Sequence, residues 1–207
     1  MSLSMPTENT RAVSRLFRVW SRFYDNALPQ QLFYRRAHRR IVRRWQPQPG
    51  QKVLDVGCGT GVFLKTLAAD HPDLDLTGLD LSEPMLVQAR RGVVAGRSPA
   101  PVFVQGSVYE MPFEAGTFDV ALNTISCHFY LEQVRAFREM GRVLRPGGRL
   151  FCAALTYGLR GRGASVSNVA RYESVAKLSE HFGEAGFEVS GVERMIPAVA
   201  LFELTKR

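Results

Sequence analysis

Short apolar-rich runs alternate with amphipathic segments in this sequence from residue 52 onward. Apolar runs bounded by turn residues are typical of strands, whereas apolar residues at intervals of three and four are typical of helices. Predicted strands lie at 52–56, 74–79, 102–104, 118–123 and 149–155, and predicted helices at 61–69, 82–91 and 132–143. Because this alternation favours a parallel sheet covered by helices on both faces, we expect an α/β fold.

The last quarter of the chain predicts a loop, a helix and two strands. Residues 157–171 contain glycine, serine and several arginines, as a mobile loop does. A helix is expected at 173–185 and strands at 188–193 and 198–205. Ser82 is placed to cap the helix that it precedes, and Pro146-Gly147-Gly148 is expected to end the helix before the fifth strand.

Two arginine-rich helices are predicted ahead of the first strand. Residues 11–24 and 31–45 each place arginines on one side and apolar or aromatic residues on the other. We expect Leu28-Pro29 to separate these helices, since proline interrupts a helix. The predicted domains are a basic helical cap at 1–48 and a larger α/β domain at 49–207.

Positive charge is concentrated in the same segment. The 207-residue chain has a formal net charge of +8, and residues 1–50 contain ten arginines, no lysine and two acids. The basic and acidic residues of 51–207 balance, so the excess charge belongs to the first quarter of the chain.

Composition bears on the compartment and on metal chemistry. No apolar run approaches the length of a membrane span and the N-terminus lacks the apolar core of a secretory signal, so we expect a cytoplasmic protein. Cys58, Cys127 and Cys152 are widely spaced, and no Cys-x-x-Cys pair is present. This spacing indicates reduced, largely buried thiols and favours neither a zinc site nor a disulfide framework.

The stretch from Val53 to Gly61 is the strongest chemical signal. An apolar strand enters a loop with glycine at 57, 59 and 61, and a helix follows. Glycine permits positive φ and lets a ligand lie on the backbone, while the first turn of the helix offers free N–H groups. Asp80 stands 19 residues after Gly61, at the end of the second predicted strand, where a carboxylate suits a ribose diol.

The spacing of this loop disfavours a dinucleotide. A Gly-x-Gly-x-x-Gly fingerprint would need glycine at position 62, which is Val62. Asp55, two residues before the first glycine, would repel a pyrophosphate and attract an amino group. S-adenosylmethionine has that amino group, a ribose and no phosphate.

Four motifs in this order resemble the class I S-adenosylmethionine-dependent methyltransferases, in the group that modifies small molecules, quinones and lipids. The resemblance covers roughly residues 50–155 and is carried by Val53–Gly61, Leu76–Leu86, Phe118-Asp119-Val120 and Leu144–Gly148. It implies a Rossmann-like, doubly wound sheet of seven strands, mostly parallel with an antiparallel last strand, helices on both faces and an N-terminal helical cap.

The resemblance also assigns roles within the cofactor site. The glycines of the loop would line the methionine part, Asp55 would orient the amino group, and Asp80 would hold the ribose. Leu81 and Met85 would pack against the adenine. The other predicted cofactor contacts are Tyr24, Cys58, Ser107, Val108 and Asn123. Gly106-Ser107 departs from the Gly-Asp that the family often has, and a serine accepts the adenine hydrogen bond more weakly than an acid.

His128, just after the fourth strand, is the candidate general base, because ligands lie beyond the carboxyl ends of such strands. The alternative is that it packs against the loop or shapes the acceptor pocket. His38 and His181 are expected to be packed histidines. No His, Asp and Glu cluster indicates a metal, and no Asn/Asp-Pro-Pro-aromatic run follows the fourth strand, which disfavours methylation of DNA bases or glutamine.

We therefore predict methyl transfer from S-adenosylmethionine to a small-molecule or lipid-like acceptor. The alternatives are a module that binds S-adenosylmethionine or S-adenosylhomocysteine as a regulator without turnover, and an NAD-dependent oxidoreductase, which the Val62 spacing disfavours. Three interpretations of residues 11–45 stay open: a lid over the cleft, a contact with an anionic membrane surface, and a nucleic-acid surface, for which no motif is present.

Overall fold

The computed structural model describes residues 28–91, 93, 100–156 and 170–207. The predicted helix at 11–24, Tyr24 and most of the predicted loop at 157–171 lie outside the described residues.

Seven strands form one sheet in the order β3-β2-β1-β4-β5-β7-β6. The strands are β1 (Lys52–Val56), β2 (Asp75–Asp80), β3 (Val102–Gln105), β4 (Phe118–Thr124), β5 (Leu144–Leu155), β6 (Phe187–Ile196) and β7 (Val199–Lys206). β7 pairs antiparallel with both of its neighbours, while the other pairs are parallel. This arrangement confirms the predicted doubly wound sheet with a reversed last strand.

Five helices cover the two faces of the sheet within the described residues. They are α1 (Leu28–Trp45), α2 (Val62–Asp70), α3 (Glu83–Arg91), α4 (Gln133–Val143) and α5 (Val175–Glu184), and a short 3₁₀ helix spans Cys127–Phe129. Helices α4 and α5 bury Phe137 and Phe182 on one face, beside Phe202 of β7. Helices α1 to α3 bury Trp45, Leu64 and Leu86 on the other face.

Three local predictions differ from the structure. Helix α1 begins at Leu28, three residues before the predicted start at 31. Proline is tolerated in a first helical turn, so Leu28-Pro29 begins this helix. Pro146-Gly147-Gly148 lies within β5 and does not terminate a helix, since α4 ends at Val143. The pairing register between β4 and β5 shifts across these residues. The hydroxyl of Ser82 caps nothing: it forms no hydrogen bond with any described residue.

Helix α1 is fastened to the sheet at its C-terminal end. Arg149 of β5 donates to the carbonyls of Arg44 and Trp45, which have no partner inside the helix, and pairs with Glu203 of β7. Glu193 of β6 forms ion pairs with Arg40 and Arg44. Because Arg149 lies near the amino edge of the parallel strands, α1 runs from the carboxyl edge of the sheet towards the amino edge.

The middle of α1 contacts the first turn of α2. His38 is buried and its ring stacks on Phe63, with 3.9 Å between ring centroids and 1° between planes. Burial lowers the pKa of His38 from 6.5 to about 3, so the ring is neutral at ordinary pH. His38 is thus the packed histidine that its apolar helical face predicted.

Candidate functional site

The glycine loop between β1 and α2 lies at the carboxyl edge of the sheet. Gly57, Gly59 and Gly61 have φ of 74°, 55° and 72°, a conformation that other L-residues rarely adopt. The amides of Gly57 and Cys58 both donate to the carbonyl of Leu79, at 2.7 and 3.1 Å. These bonds hold the loop against the end of β2.

The three glycines differ in what surrounds them. A Cβ on Gly57 would lie 2.6 Å from Ser126 Oγ, and one on Gly61 would lie 2.6 Å from Phe103 Cζ. A Cβ on Gly59 would meet no atom within 4 Å. Packing therefore requires two of the glycines, while Gly59 borders the open side of the loop, where a ligand has access to the backbone.

Asp80 closes β2 directly beside this loop. Its Oδ2 accepts from the amide of Gly59 and its Oδ1 from the amide of Ser82, both at 2.8 Å. Burial raises the pKa of Asp80, and these backbone bonds oppose that rise. Each carboxylate oxygen has a second lone pair, so Asp80 retains the capacity to accept two ribose hydroxyls.

Asp55 is buried, with 3% of its surface exposed, and its Oδ1 has no hydrogen-bond partner among the described residues. Burial, together with the charge of Asp80, raises the pKa of Asp55 from 3.8 to about 7. A buried carboxylate without a partner is costly, and an ammonium group at this position would remove the cost. The loop, Asp80 and Asp55 thus fit an amine-bearing nucleoside without phosphate.

Asn123 lies beneath the loop with none of its surface exposed. Its Nδ2 lies 2.9 Å from Val56 O, 2.7 Å from Ser126 Oγ and 2.9 Å from Tyr130 Oη, and its Oδ1 is 3.6 Å from the thiol of Cys152. Because these neighbours enclose the amide, the geometry argues against a contact between this side chain and a cofactor, while the predicted role of Asn123 as a cofactor contact stays a prediction. The network supports Gly57 from below instead.

Sequence reasoning missed Ser126 and Tyr130, whose hydroxyls lie 2.9 Å apart in this network. The residue before Ser126 is Ile125, which has a φ of 54°, a strained conformation for a β-branched residue. No sequence pattern marks either hydroxyl. Their role depends on a bend after β4 that the neighbouring strand stabilises through a bond from Ile125 N to Ala153 O.

Thr124 was also missed, although it adjoins Asn123. Leu122 pairs with Asp55 across β4 and β1, and side chains two residues apart in a strand lie on the same face. Thr124 therefore lies on the face of Asp55, and its Oγ1 is buried without a partner among the described residues. Strand alternation thus favours Thr124 over Asn123 as a polar group on the same sheet face as Asp55.

The predicted adenine contacts occupy mixed environments. Met85 is buried, whereas Leu81 is half-buried. Ser107 Oγ accepts from the amide of Tyr109 at 3.2 Å, so part of its capacity serves a local turn. Val108 is partly buried against the core beneath α4.

The three cysteines are free thiols, as expected: Cys127 and Cys152 are buried and Cys58 is half-buried. The thiol of Cys58 packs towards Gly78 of β2, where an added Cβ would lie 2.8 Å from the sulfur. Burial, with the charges of Asp55 and Asp80, raises the pKa of Cys58 well above its ordinary value. Cys58 is consequently a protonated thiol under the loop.

His128 lies in the 3₁₀ helix after β4 and is 5% exposed. Its ring lies between Phe129, at 4.0 Å, and Tyr172, at 5.3 Å, measured between ring centroids. Its Nδ1 has no partner among the described residues. Burial lowers the pKa of His128 from 6.5 to about 4, so the imidazole is neutral at ordinary pH.

The turn that carries His128 is held by a buried polar bridge. His181 Nδ1 lies 3.1 Å from Gln133 Oε1, and Gln133 Nε2 donates to the carbonyl of Cys127 at 3.2 Å. His181 is thus a packed histidine too. The described residues contain no group of three metal-ligating side chains, and none of their helices is both long and apolar enough to cross a membrane.

Sequence comparisons place this loop and sheet among known proteins. Residues 54–152 match the family model described as a methyltransferase domain. The demethylmenaquinone methyltransferase of Symbiobacterium thermophilum is 34% identical over 151 residues, which cover 71% of this chain and 60% of that protein. A malonyl-[acyl-carrier protein] O-methyltransferase of Erwinia pyrifoliae is 32% identical over 73% of this chain and 54% of its own length. The matched segment thus spans less than two thirds of either relative.

Structural comparison gives the same fold. An S-adenosylmethionine-dependent methyltransferase from Mesorhizobium loti superposes with a TM-score of 0.67 at 20% identity, over 82% of this chain and 98% of that one. The [4+2]-cyclase SpnF superposes with a TM-score of 0.82 at 20% identity, over 97% and 98%. Since the second of these is named for a different reaction, the fold alone does not determine the chemistry.

Proposed function

This chain belongs to the class I S-adenosylmethionine-dependent methyltransferase family, and from that premise we propose that it transfers the methyl group of S-adenosylmethionine to a small-molecule or lipid-like acceptor. The observation that carries the proposal is the buried Oδ1 of Asp55, which has no partner among the described residues and belongs to the strand that leads into the glycine loop. A site built for NAD would place no unpaired acid there, because the pyrophosphate would be repelled.

Cofactor binding would use the residues around the loop. Asp55 would accept from the ammonium group, with Thr124 Oγ1 as a second acceptor on the same face. Asp80 would hold the ribose while keeping its bonds to Gly59 and Ser82. Leu81 and Met85 would flank the adenine, and Ser107 is its proposed polar contact.

The bound cofactor would supply an activated methyl group on a sulfonium, which is already a good leaving group. The protein then has to align the acceptor with that methyl group and exclude water. We propose that His128 contacts and positions the acceptor. A general base works best with a pKa near the working pH, so the pKa of about 4 argues against proton abstraction as its main role.

Two measurements test this function. Calorimetric titration with S-adenosylmethionine, S-adenosylhomocysteine and NAD should show binding of the first two alone, and Asp55→Asn and Asp80→Asn should weaken it. Transfer of a labelled methyl group should then appear in a mixed lipid and metabolite extract, or with the acceptors for which the two relatives are named.

Each failure has its own meaning. Binding of NAD in place of the sulfonium compound would refute the cofactor assignment. Tight binding without labelled product from any acceptor would support the regulatory module instead.

We also propose that the exposed face of α1 contacts anionic membrane surfaces. Six arginines lie on α1, which contains no acid. Of these six, Arg40 and Arg44 form ion pairs with an acid among the described residues. The others, Arg35, Arg36, Arg39 and Arg43, are exposed. Each basic residue near such a surface contributes about 1 kcal/mol of attraction.

Co-sedimentation with phosphatidylserine vesicles tests this contact. Substitution of the four exposed arginines by glutamine should abolish salt-sensitive pelleting, whereas substitution by lysine, which keeps the charge, should preserve it. Equal pelleting of the wild-type protein and the glutamine variant would refute the contact and leave the lid and the nucleic-acid surface as interpretations of this segment.

A further inference from the structure

We propose that Thr156, His128 and Tyr172 form a subsite that binds a hydroxyl group on a planar, aromatic acceptor. This inference rests on the proposed methyl transfer and names the class of acceptor for that reaction. Its chemical basis is a pair of buried polar atoms without partners, located beyond the ends of β4 and β5.

Thr156 follows the last residue of β5, and its amide donates to the carbonyl of Ala198 at 2.8 Å. Its side chain is buried, and its Oγ1 forms no hydrogen bond with any described residue. The Nδ1 of His128 is also buried and forms no hydrogen bond with any described residue. Because an unpaired buried polar atom destabilises the fold, two such atoms in one region point to a ligand that pairs with both.

One short segment contacts the backbone of both residues. The amide of Arg171 donates to the carbonyl of His128 at 2.6 Å, and Glu173 forms a parallel bridge with Thr156. Tyr172 lies between these attachments, and its ring is stacked on His128 with 12° between the planes. Residues 171–173 thus connect Thr156 with His128, and the ring of Tyr172 provides a flat aromatic surface against His128.

The proposed subsite lies beyond β5, on the opposite sheet face from Asp55 and Thr124. Asp55 and Thr124 point to the sheet face covered by α1 to α3, together with Leu122. Along β5, Cys152 and Ala154 point to the opposite face, and alternation places Thr156 with them. The subsite is thus separate from the residues that would hold the cofactor.

The hydrogen-bonding groups of Thr156 and His128 favour a hydroxyl group on the acceptor. A neutral imidazole nitrogen either donates or accepts, and a threonine hydroxyl does both, so together they match a group that is donor and acceptor at once. None of these three residues offers a cation to an anionic acceptor. The aromatic rings of Phe129 and Tyr172 beside His128 favour a flat acceptor that packs against them.

The experiment measures binding of 1-naphthol and naphthalene, which differ by one hydroxyl, to the full chain in the presence and absence of S-adenosylhomocysteine. Ligand-observed NMR titration should show that the wild-type protein binds 1-naphthol at least tenfold more tightly than naphthalene. Thr156→Val and His128→Phe should reduce this ratio to about one. Thr156→Ser keeps the hydroxyl and His128→Asn keeps a polar atom near Nδ1, so both should preserve most of the preference.

Two controls separate this subsite from a structural role and from the proposed function. Thr156→Val should raise the melting temperature of the free protein, because it removes an unpaired buried hydroxyl, whereas loss of a structural hydrogen bond would lower it. Binding of S-adenosylhomocysteine should be unchanged in all four variants. Equal affinity of the wild-type protein for the two probes, or an unchanged ratio in Thr156→Val and His128→Phe, would overturn the subsite. Failure to bind S-adenosylhomocysteine would instead overturn the proposed function.

Discussion

Substitution of Gly59 by alanine separates the ligand-binding role of the glycine loop from its folding role. Gly59 has a φ of 55° and open space where a Cβ would project. The left-handed conformation costs alanine about 1–2 kcal/mol. A chain of this size loses roughly 2–4 °C of melting temperature per kcal/mol, so the variant should stay folded. The new methyl group would occupy the ligand's side of the loop.

Gly147→Ala is the matched control for this substitution. Gly147 has a φ of 71°, also has no atom within 4 Å of a Cβ, and lies in the exposed start of β5. The two variants should therefore lose similar stability. Gly61→Ala adds contact with Phe103 at 2.6 Å to the same strain, and such overpacking costs about 1–3 kcal/mol more.

Calorimetric titration with S-adenosylhomocysteine and thermal unfolding by circular dichroism measure the two effects. Overpacking of about 1–3 kcal/mol against the ligand corresponds to a roughly five- to 150-fold weaker Kd for Gly59→Ala. Gly147→Ala should bind as the wild-type protein does. If Gly59→Ala binds with wild-type affinity, or if Gly147→Ala loses as much affinity, the ligand does not lie on the open side of Gly59.

Three further substitutions test the surrounding network. Burial raises the pKa of Asp55 from 3.8 to about 7, so the native state binds this proton more tightly than the unfolded state does. The free energy of unfolding of the free protein should therefore fall as pH rises from about 4 to about 7. Asp55→Asn should flatten that dependence in urea titrations, and an unchanged slope would contradict the assignment. Tyr130→Phe removes the hydroxyl that contacts Asn123 and Ser126. We expect it to lower the free energy of unfolding in urea by about 1–2 kcal/mol and to weaken cofactor binding. Normal cofactor binding would mean that the network does not support the loop. Arg149→Met should cost about 1–3 kcal/mol, since it frees two carbonyls of α1 and leaves Glu203 without its partner. The exposed pair of Arg145 and Asp119 is the comparison, where Arg145→Met should cost less than about 1 kcal/mol.

The order of elements and the loop chemistry were accessible from the sequence because both depend on local pattern. A buried parallel strand has to be apolar, a tight turn with positive φ requires glycine, and an acid at the end of a strand is displayed at the sheet edge. The five parallel strands before the loop at 157–171 and the positions of Asp55 and Asp80 follow from these rules. Helix α4 ends at Val143 as predicted, but the expectation that Pro146-Gly147-Gly148 terminates it was wrong, because proline and glycine mark a backbone irregularity without saying whether a helix end or a bulged strand contains it.

The amino-acid sequence by itself determined the doubly wound sheet, the glycine loop and the two acids beside it, since each rests on residue type and spacing within a few positions. Only the tertiary structure decided which polar side chains face the site. Asn123 and Thr124 are neighbours in the chain, yet strand alternation places Asn123 in a closed network and Thr124 on the sheet face that carries Asp55. Thr156 and His128 are connected because a segment distant in sequence contacts the backbone of both, beyond the ends of β4 and β5. Unpaired buried atoms of this kind are a property of packing, and no local sequence pattern records them.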